Sequence, residues 1–392
     1  MKRFLLLCGP MLFLLAAGTL RAQQGYKFDV KTYGGAVCNG VTDDTAAVQK
    51  TINDAAAMLQ AGGSPGPIYF PPSLHPCKVD TITFPSVSGG WLYSLFDNGL
   101  YANHINIGSF NAYVGRTSNF GGGGSLFAYG PSVKWFRWQK PTNIGPFVDL
   151  NGVSEAYFEG INIQEQYSQQ PVVHMHDNNG RGCINIKFLH CEISGSVRPF
   201  VIDSSKGDIS AGFNLRILDS SIASTGNGPA LSIENFGYVT VRGGYLTSAT
   251  IIEKPGIPLM DGYRFEDILS ENLNNHPWLT VSGGPYGVSN IILDSIRMAE
   301  TVRNVHLVLN QTPHTSMTIR NCGWNDGLSL VDPASIPGGL SAVIESMGAP
   351  ATYAQAKAAF QWGEFTSTQG PTIFYGSPTF LNYIGPPIQM KP

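Results

Sequence analysis

The chain has 392 residues, 43% of them hydrophobic and 13% charged, with 46 Gly, 26 Pro and a formal net charge of −3. That length supports a large core, and a charged fraction far below the usual quarter means that Ser, Thr, Asn, Gln and Gly must cover most of the outside. The near-neutral balance gives no basic footprint for nucleic acid, and such a polar, weakly charged surface suits sugars or a passive structural rod.

Residues 1–22 read as a secretory signal: Lys2 and Arg3 supply a charged start, residues 4–17 an apolar stretch broken by Gly9-Pro10, and Leu20-Arg-Ala22 a cleavage site. The stretch is short for a membrane span and no second long apolar run follows, so the expectation is an exported protein (secreted, periplasmic or cell-surface) without an integral membrane domain. Cys8 leaves with the signal. Among the five remaining cysteines, Cys38 with Cys77 and Cys183 with Cys191 are candidate disulfides, with Cys322 left over; small buried thiols are the alternative. No Cys/His set has zinc spacing.

Residues 23–66 form an N-terminal segment and a helix. Val48, Ile52, Ala55, Ala56 and Leu59 recur at helical spacing over residues 46–59. Thr42 or Asp43 is placed to cap the opening, and Ala61-Gly-Gly63 to end it. Asp43 and Asp44 are therefore read as cap residues. Pro67-Ile-Tyr-Phe-Pro-Pro72 follows, with further short strands expected at residues 79–82, 104–107 and 126–127. Gly121 to Gly124 is a loop and not a phosphate cradle, because no Lys-Ser/Thr follows it.

From residue 158 to 324 one six-residue pattern occurs seven times: Phe158-Glu-Gly-Ile-Asn-Ile163, Phe188-Leu-His-Cys-Glu-Ile193, Ile217-Leu-Asp-Ser-Ser-Ile222, Val241-Arg-Gly-Gly-Tyr-Leu246, Phe265-Glu-Asp-Ile-Leu-Ser270, Leu293-Asp-Ser-Ile-Arg-Met298 and Ile319-Arg-Asn-Cys-Gly-Trp324. The copies start 30, 29, 24, 24, 28 and 26 residues apart, a period that fits a solenoid with one coil per repeat. Position three is Gly, His, Asp, Gly, Asp, Ser and Asn in turn, mostly residues that tolerate left-handed backbone angles, and it reads as a sharp bend between two short strands. A leucine-rich horseshoe would need a Leu/Asn framework that is absent. The fold expected is all-β, a right-handed parallel β-helix over residues 67–336, capped by the N-terminal helix and followed by a strand, helix and tail over residues 337–392. In that tail, Val343-Ile-Glu345 is placed to add one more strand and residues 351–359 a short sealing helix.

A second strip sets the phase. Met175, Ile202, Ile233, Met260, Val281 and Leu309 align as core residues on another wall of the coil. The next residue of each gives an outward column of His176, Asp203, Glu234, Asp261, Ser282 and Asn310. With coils about 4.8 Å apart, Asp203, Glu234 and Asp261 would form a carboxylate ladder. Glycoside hydrolysis needs two carboxyl groups about one bond, and mutual repulsion in such a ladder raises a pKa towards that of an acid donor. Glu234 is cast as general acid, Asp203 and Asp261 as base and water-positioning groups, and His176 as an auxiliary; Lys206, Lys254 and Arg264 are placed to hold an acidic sugar. Turn capping by the same carboxylates is the bland alternative. Ca²⁺ held by these oxygens is a third, no cofactor being expected otherwise. At hexad position two, Arg242, Glu266, Asp294 and Arg320 suggest surface pairing between coils. Trp135 and Trp138 are the candidate sugar platforms, since one ring of a pair three residues apart faces outward.

Two segments are similar to a known family. Residues 26–52, Tyr-Lys-Phe-Asp-Val-Lys-Thr-Tyr-Gly-Gly-Ala-Val-Cys-Asn-Gly-Val-Thr-Asp-Asp-Thr-Ala-Ala-Val-Gln-Lys-Thr-Ile, and Pro67-Ile-Tyr-Phe-Pro-Pro72 resemble the opening of pectate lyase superfamily proteins, in particular the rhamnogalacturonase and epimerase-like members. The resemblance implies a right-handed β-helix, and often cleavage of polysaccharide along a surface groove. It carries over no active site: the Asn-Thr-Asp, Asp-Asp, Gly-His-Gly and Arg-Ile-Lys signatures of the polygalacturonase-like members are absent from the central coils. The expectation is a polysaccharide hydrolase or lyase; the alternative is a non-catalytic cell-surface or matrix glycan-binding or structural β-helix, with a homotrimer as its candidate assembly.

Overall fold

In the computed structural model, which describes residues 26–85, 87, 91–108, 125–137, 145–165, 169–177, 182–195, 197–203, 212–226, 228–254, 261–271, 276–298, 306–322, 329–332, 334–335 and 340–345, the hexads stack rung on rung in parallel register. Phe158 lies beside Phe188, and the file continues through Ile217, Val241, Phe265 and Leu293 to Ile319. These side chains are buried; Phe158 and Phe188 stack with ring centroids 4.6 Å apart. The result is a right-handed parallel β-helix whose described strands form one sheet of 17 and one of 10.

The bend at position three has the geometry its residues suggest. Gly160, His190, Asp219, Gly243, Asp267, Ser295 and Asn321 all have positive φ, from 47° at Asp219 to 71° at Gly243. At Gly160 the need for glycine is double, since a Cβ there would also come within 2.2 Å of the Gly130 carbonyl oxygen. A second left-handed file, with no counterpart in the sequence reading, runs through Asn185, Asn214, Tyr238, Gly262 and Asn290. Two short-range bends therefore shape five of the seven hexad coils.

The second wall contains Val148–Asn151, Val173–His176, Phe200–Asp203, Leu231–Glu234, Ala249–Glu253, Leu279–Gly283 and His306–Asn310. Met175, Ile202 and Ile233 share one inward file as expected, but the next member is Ile251 and not Met260, which lies outside the described residues. The cause is uneven coil length: only Thr247 and Ser248 separate the hexad strand that ends at Leu246 from Ala249. A second correction concerns the last rung, where Val281 pairs with Asn310 and not Leu309. Asn310 is buried, and it is satisfied there by the Thr312 carbonyl at 2.9 Å and the Thr315 hydroxyl at 2.7 Å.

The helix Thr45–Gln60 buries Val48, Thr51, Ile52, Ala55 and Ala56 over the first coils. Its N-cap position is Asp44, whose own side chain makes no cap bond; the Asp43 carboxylate, one of the expected caps, accepts the first helical N–H, that of Thr45, at 2.9 Å. The Asp44 carboxylate instead accepts the N–H groups of Val37 and Cys38 at 2.7 and 2.9 Å, which ties down the preceding loop. A disulfide joins Cys38 to Cys77. The other candidate bridge does not form: Cys183 and Cys191 are free and buried, separated by the seven-residue strand Cys183–Leu189, roughly 20 Å of extended chain. At the far end Leu340–Glu345 pairs with Thr315–Arg320, so the sheet continues through the expected extra strand. The signal segment, the Gly121–124 loop and the helix at residues 351–359 lie outside the described residues.

Candidate functional site

His176, Asp203 and Glu234 occupy neighbouring rungs of the second wall, because His176 pairs with Asp203 and Ile202 with Ile233. Asp261 does not join them. The residue level with Glu234 on the next rung is Ile252, while Asp261 begins a strand of the hexad sheet beside Ser289 and accepts a hydrogen bond from Asn290 Nδ2 at 2.8 Å. The expected ladder of three carboxylates is thus a pair, and each member of the pair faces a cationic or ionisable nitrogen group: Lys254 Nζ contacts Glu234, and His174 Nε2 lies 2.8 Å from Asp203 Oδ1.

The remaining candidates disperse. Arg264 is exposed on the hexad sheet, 3.6 Å from Glu266, and so belongs to a different wall from the carboxylates. Trp135 is not a platform: it is fully buried, edge-on to Phe96 and Phe158, because its place in the 125–137 strand points inward. Lys206 and Trp138 lie outside the described residues. In the position-two column, Arg320 Nε donates to Asp294 Oδ2 at 2.7 Å, while Glu266 pairs with Arg264 of its own strand.

Two groupings escaped the sequence reading. The first lies beside Asp203. In Val173–His176 the alternation buries Val173 and Met175 and sends His174 and His176 outward, where their rings stack 4.6 Å apart at 20°. His174 pairs in register with Asp149 of the preceding coil. His174 Nδ1 and His176 Nε2 lie 3.3 and 3.0 Å from the same oxygen, Asp149 Oδ1. Burial opposes charge on Asp149 and His174, yet the imidazoles hold the Asp149 carboxyl well below the usual range, and Asp149 and Asp203 raise the His174 pKa to about 9. The signal was present in the matching alternations Val148-Asp-Leu-Asn151 and Val173-His-Met-His176. It was missed because the repeat was phased from residue 158 onward.

The second grouping is an outward file on the hexad sheet. Tyr93, Phe127 and Tyr157 stand on successive rungs, followed in register by Lys187, Arg216, Thr240 and Arg264. Ring centroids are 5.4 Å apart for Tyr93–Phe127 and 4.5 Å for Phe127–Tyr157, and Lys187 Nζ sits 4.8 Å from the Tyr157 ring centroid. Tyr93 is 50% exposed, and beside it Trp91 helps to line a hollow of about 380 Å³ next to the end of the helix. Along the same sheet the position-three bend leaves a groove of about 490 Å³, lined in part by Asn162, His190, Glu192, Asp219 and Tyr245. Glu192 is fixed in it by the side-chain amides of Asn162 and Gln164.

Among the described residues no helix is long and apolar enough to cross a membrane. No family model matches the chain, and no curated protein matches it. Among solved structures it is similar to PfbA, a surface adhesin of Streptococcus pneumoniae, at 11% identity over 81% of this chain and 90% of that one, with a TM-score of 0.30. The chain is a parallel β-solenoid, and no match supports the pectate lyase superfamily that the sequence resemblance implies.

Proposed function

We propose that this β-solenoid is a non-catalytic glycan-binding protein that holds an extended polysaccharide chain along its hexad sheet. The observation that carries the reading is the outward file of Tyr93, Phe127 and Tyr157 leading into Lys187, Arg216 and Arg264. Aromatic faces offer broad apolar contact to the C–H faces of sugar rings, and an exposed Tyr93 followed by half-buried Phe127 and Tyr157 on consecutive rungs makes a track instead of a pocket. The cations beyond them favour sugars bearing carboxylate or sulfate. A hydrolase or lyase reading required convergent carboxylates, and here Asp203 and Glu234 each face a partner nitrogen while Asp261 sits on the other sheet.

The test is affinity electrophoresis against pectins, rhamnogalacturonan and neutral glycans, run together with assays for new reducing ends and for unsaturated products. Retention without product formation, weakened in the Tyr93→Ala/Tyr157→Ala double variant, supports the reading. Appearance of either product, or retention unchanged by the double variant, would overturn it.

A further inference from the structure

We propose that Asp149, His174 and His176 form a binding site for one divalent transition-metal ion of the zinc class, with Asp203 orienting His174 from behind. The argument rests on which ring nitrogen of each imidazole is already engaged. His174 Nε2 is 2.8 Å from Asp203 Oδ1, and His176 Nδ1 is 3.1 Å from the backbone carbonyl oxygen of Asp177. Carboxylate and carbonyl oxygens only accept, so each of these nitrogens is the donor. Once His174 gives up its second proton, as a metal-ligating imidazole must, His174 Nδ1 and His176 Nε2 present lone pairs, and both face Asp149 Oδ1 at 3.3 and 3.0 Å. This oxygen is buried and has no well-aligned hydrogen-bond donor, although the two nitrogens are close. A proton between imidazole and carboxylate balances these three atoms in the free protein, and a divalent cation in the same space would displace it.

The arrangement has the parts of a metal site. The two nitrogens lie 3.3 and 3.0 Å from the one carboxylate oxygen, separations that bonds of about 2.0–2.2 Å to a shared ion span. A histidine ligand whose other N–H is held by a carboxylate or backbone carbonyl is the usual outer-shell pattern, and it fixes both tautomer and ring direction. Here both histidines have it. Two imidazoles and one carboxylate suit zinc and its neighbours better than calcium, which calls for six or more oxygens. The side chains are 14–20% exposed, so the site opens to solvent on one side and leaves a coordination position for water or another donor. Because Asp149 and the histidines belong to adjacent coils, the ion would also clip one rung to the next.

The test uses the full chain without a histidine tag, stripped with chelator and titrated with ZnCl₂ by calorimetry, with metal content counted by mass spectrometry. One zinc per chain is expected. Asp149→Asn and His176→Gln should abolish saturable uptake, and Asp203→Asn should weaken it about 10–100-fold. Absence of saturable uptake by the wild type, or its persistence in Asp149→Asn or His176→Gln with native circular dichroism, would sink the proposal. If the variants do not fold, zinc-edge anomalous scattering from wild-type crystals decides: a peak at about 2.0–2.2 Å from the three atoms upholds the site, and no peak there refutes it.

Discussion

The left-handed bends show what single residues reveal about this fold. Position three of the hexads was readable because left-handed φ is costly for most side chains, by about 1–2 kcal/mol, and Gly, Asn and Asp evade part of that cost. The second left-handed file was missed because Tyr238 stands in it with φ 55°, a residue type that gives no warning. The positions in the first file are not equivalent. Gly160→Ala adds backbone strain and places a Cβ 2.2 Å from the Gly130 carbonyl oxygen, so it is expected to lower stability by at least about 1–2 kcal/mol in urea titration. Asp267→Gly relieves strain (φ 54°) but loosens the unfolded chain, and the same titration should move by less than about 1 kcal/mol. Charge at the bend makes a further prediction. Burial raises the pKa of Asp294, but hydrogen bonds from Asn321, Arg320 and Ser295 outweigh it and hold the carboxyl below its ordinary value. A depressed carboxylate stabilises the fold above its unfolded pKa of about 4, and that stability is lost as pH falls through the lower folded value. Wild type should therefore exceed Asp294→Asn by about 1 kcal/mol at neutral pH, and the gap should close on acidification below about pH 4.

At the scale of elements, parallel stacking was legible and the placement of individual wall strands was less so. A hexad sheet repeats its apolar positions closely enough to be phased from sequence, whereas the loops between its rungs and the second wall vary in length. One short connection, Thr247-Ser248, moved Asp261 to the wrong wall in the sequence reading and hid Ile251. Trp135 failed for a different reason, since a stacked core takes a large ring wherever the strand points inward, and Phe96 and Phe158 close around it. The N-terminal cap is the element whose stability can be tested most directly. The Cys38–Cys77 bridge spans 39 residues and encloses the whole helix. Chain-entropy reasoning gives a stabilisation of about 3–4 kcal/mol for such a loop. A solenoid exposes its core where a cap loosens, so reduction, or the Cys38→Ser/Cys77→Ser pair, should lower the thermal midpoint and increase dye binding to exposed apolar surface. An unchanged melting curve under reductant would show that the helix holds its place by packing of Val48, Ile52, Ala55 and Ala56 alone.

The whole molecule presents two chemically different walls, and their separation makes them independently testable. The hexad sheet carries aromatic rings on its early rungs and Lys187, Arg216 and Arg264 on later ones, while the second wall carries Asp149, His174, His176 and Asp203. Exposed cations are screened by salt, with a Debye length of about 10 Å at 0.1 M and about 3 Å at 1 M, but contact between a ring and an aromatic face is not. Retention of an acidic glycan should therefore fall steeply between these salt concentrations, and retention of a neutral one should change little. Tyr157→Ala removes a contact worth about 0.5–1.5 kcal/mol and should weaken both glycans by up to about tenfold. Arg264→Ala should weaken only the acidic one, and only at low salt. Sites on separate sheets with no shared partners act additively, so His176→Gln should leave both glycan titrations unchanged and Tyr157→Ala should leave zinc uptake unchanged. If zinc instead alters glycan affinity, the two walls are coupled through the stacked core, and the shift would be equal in both directions around the cycle.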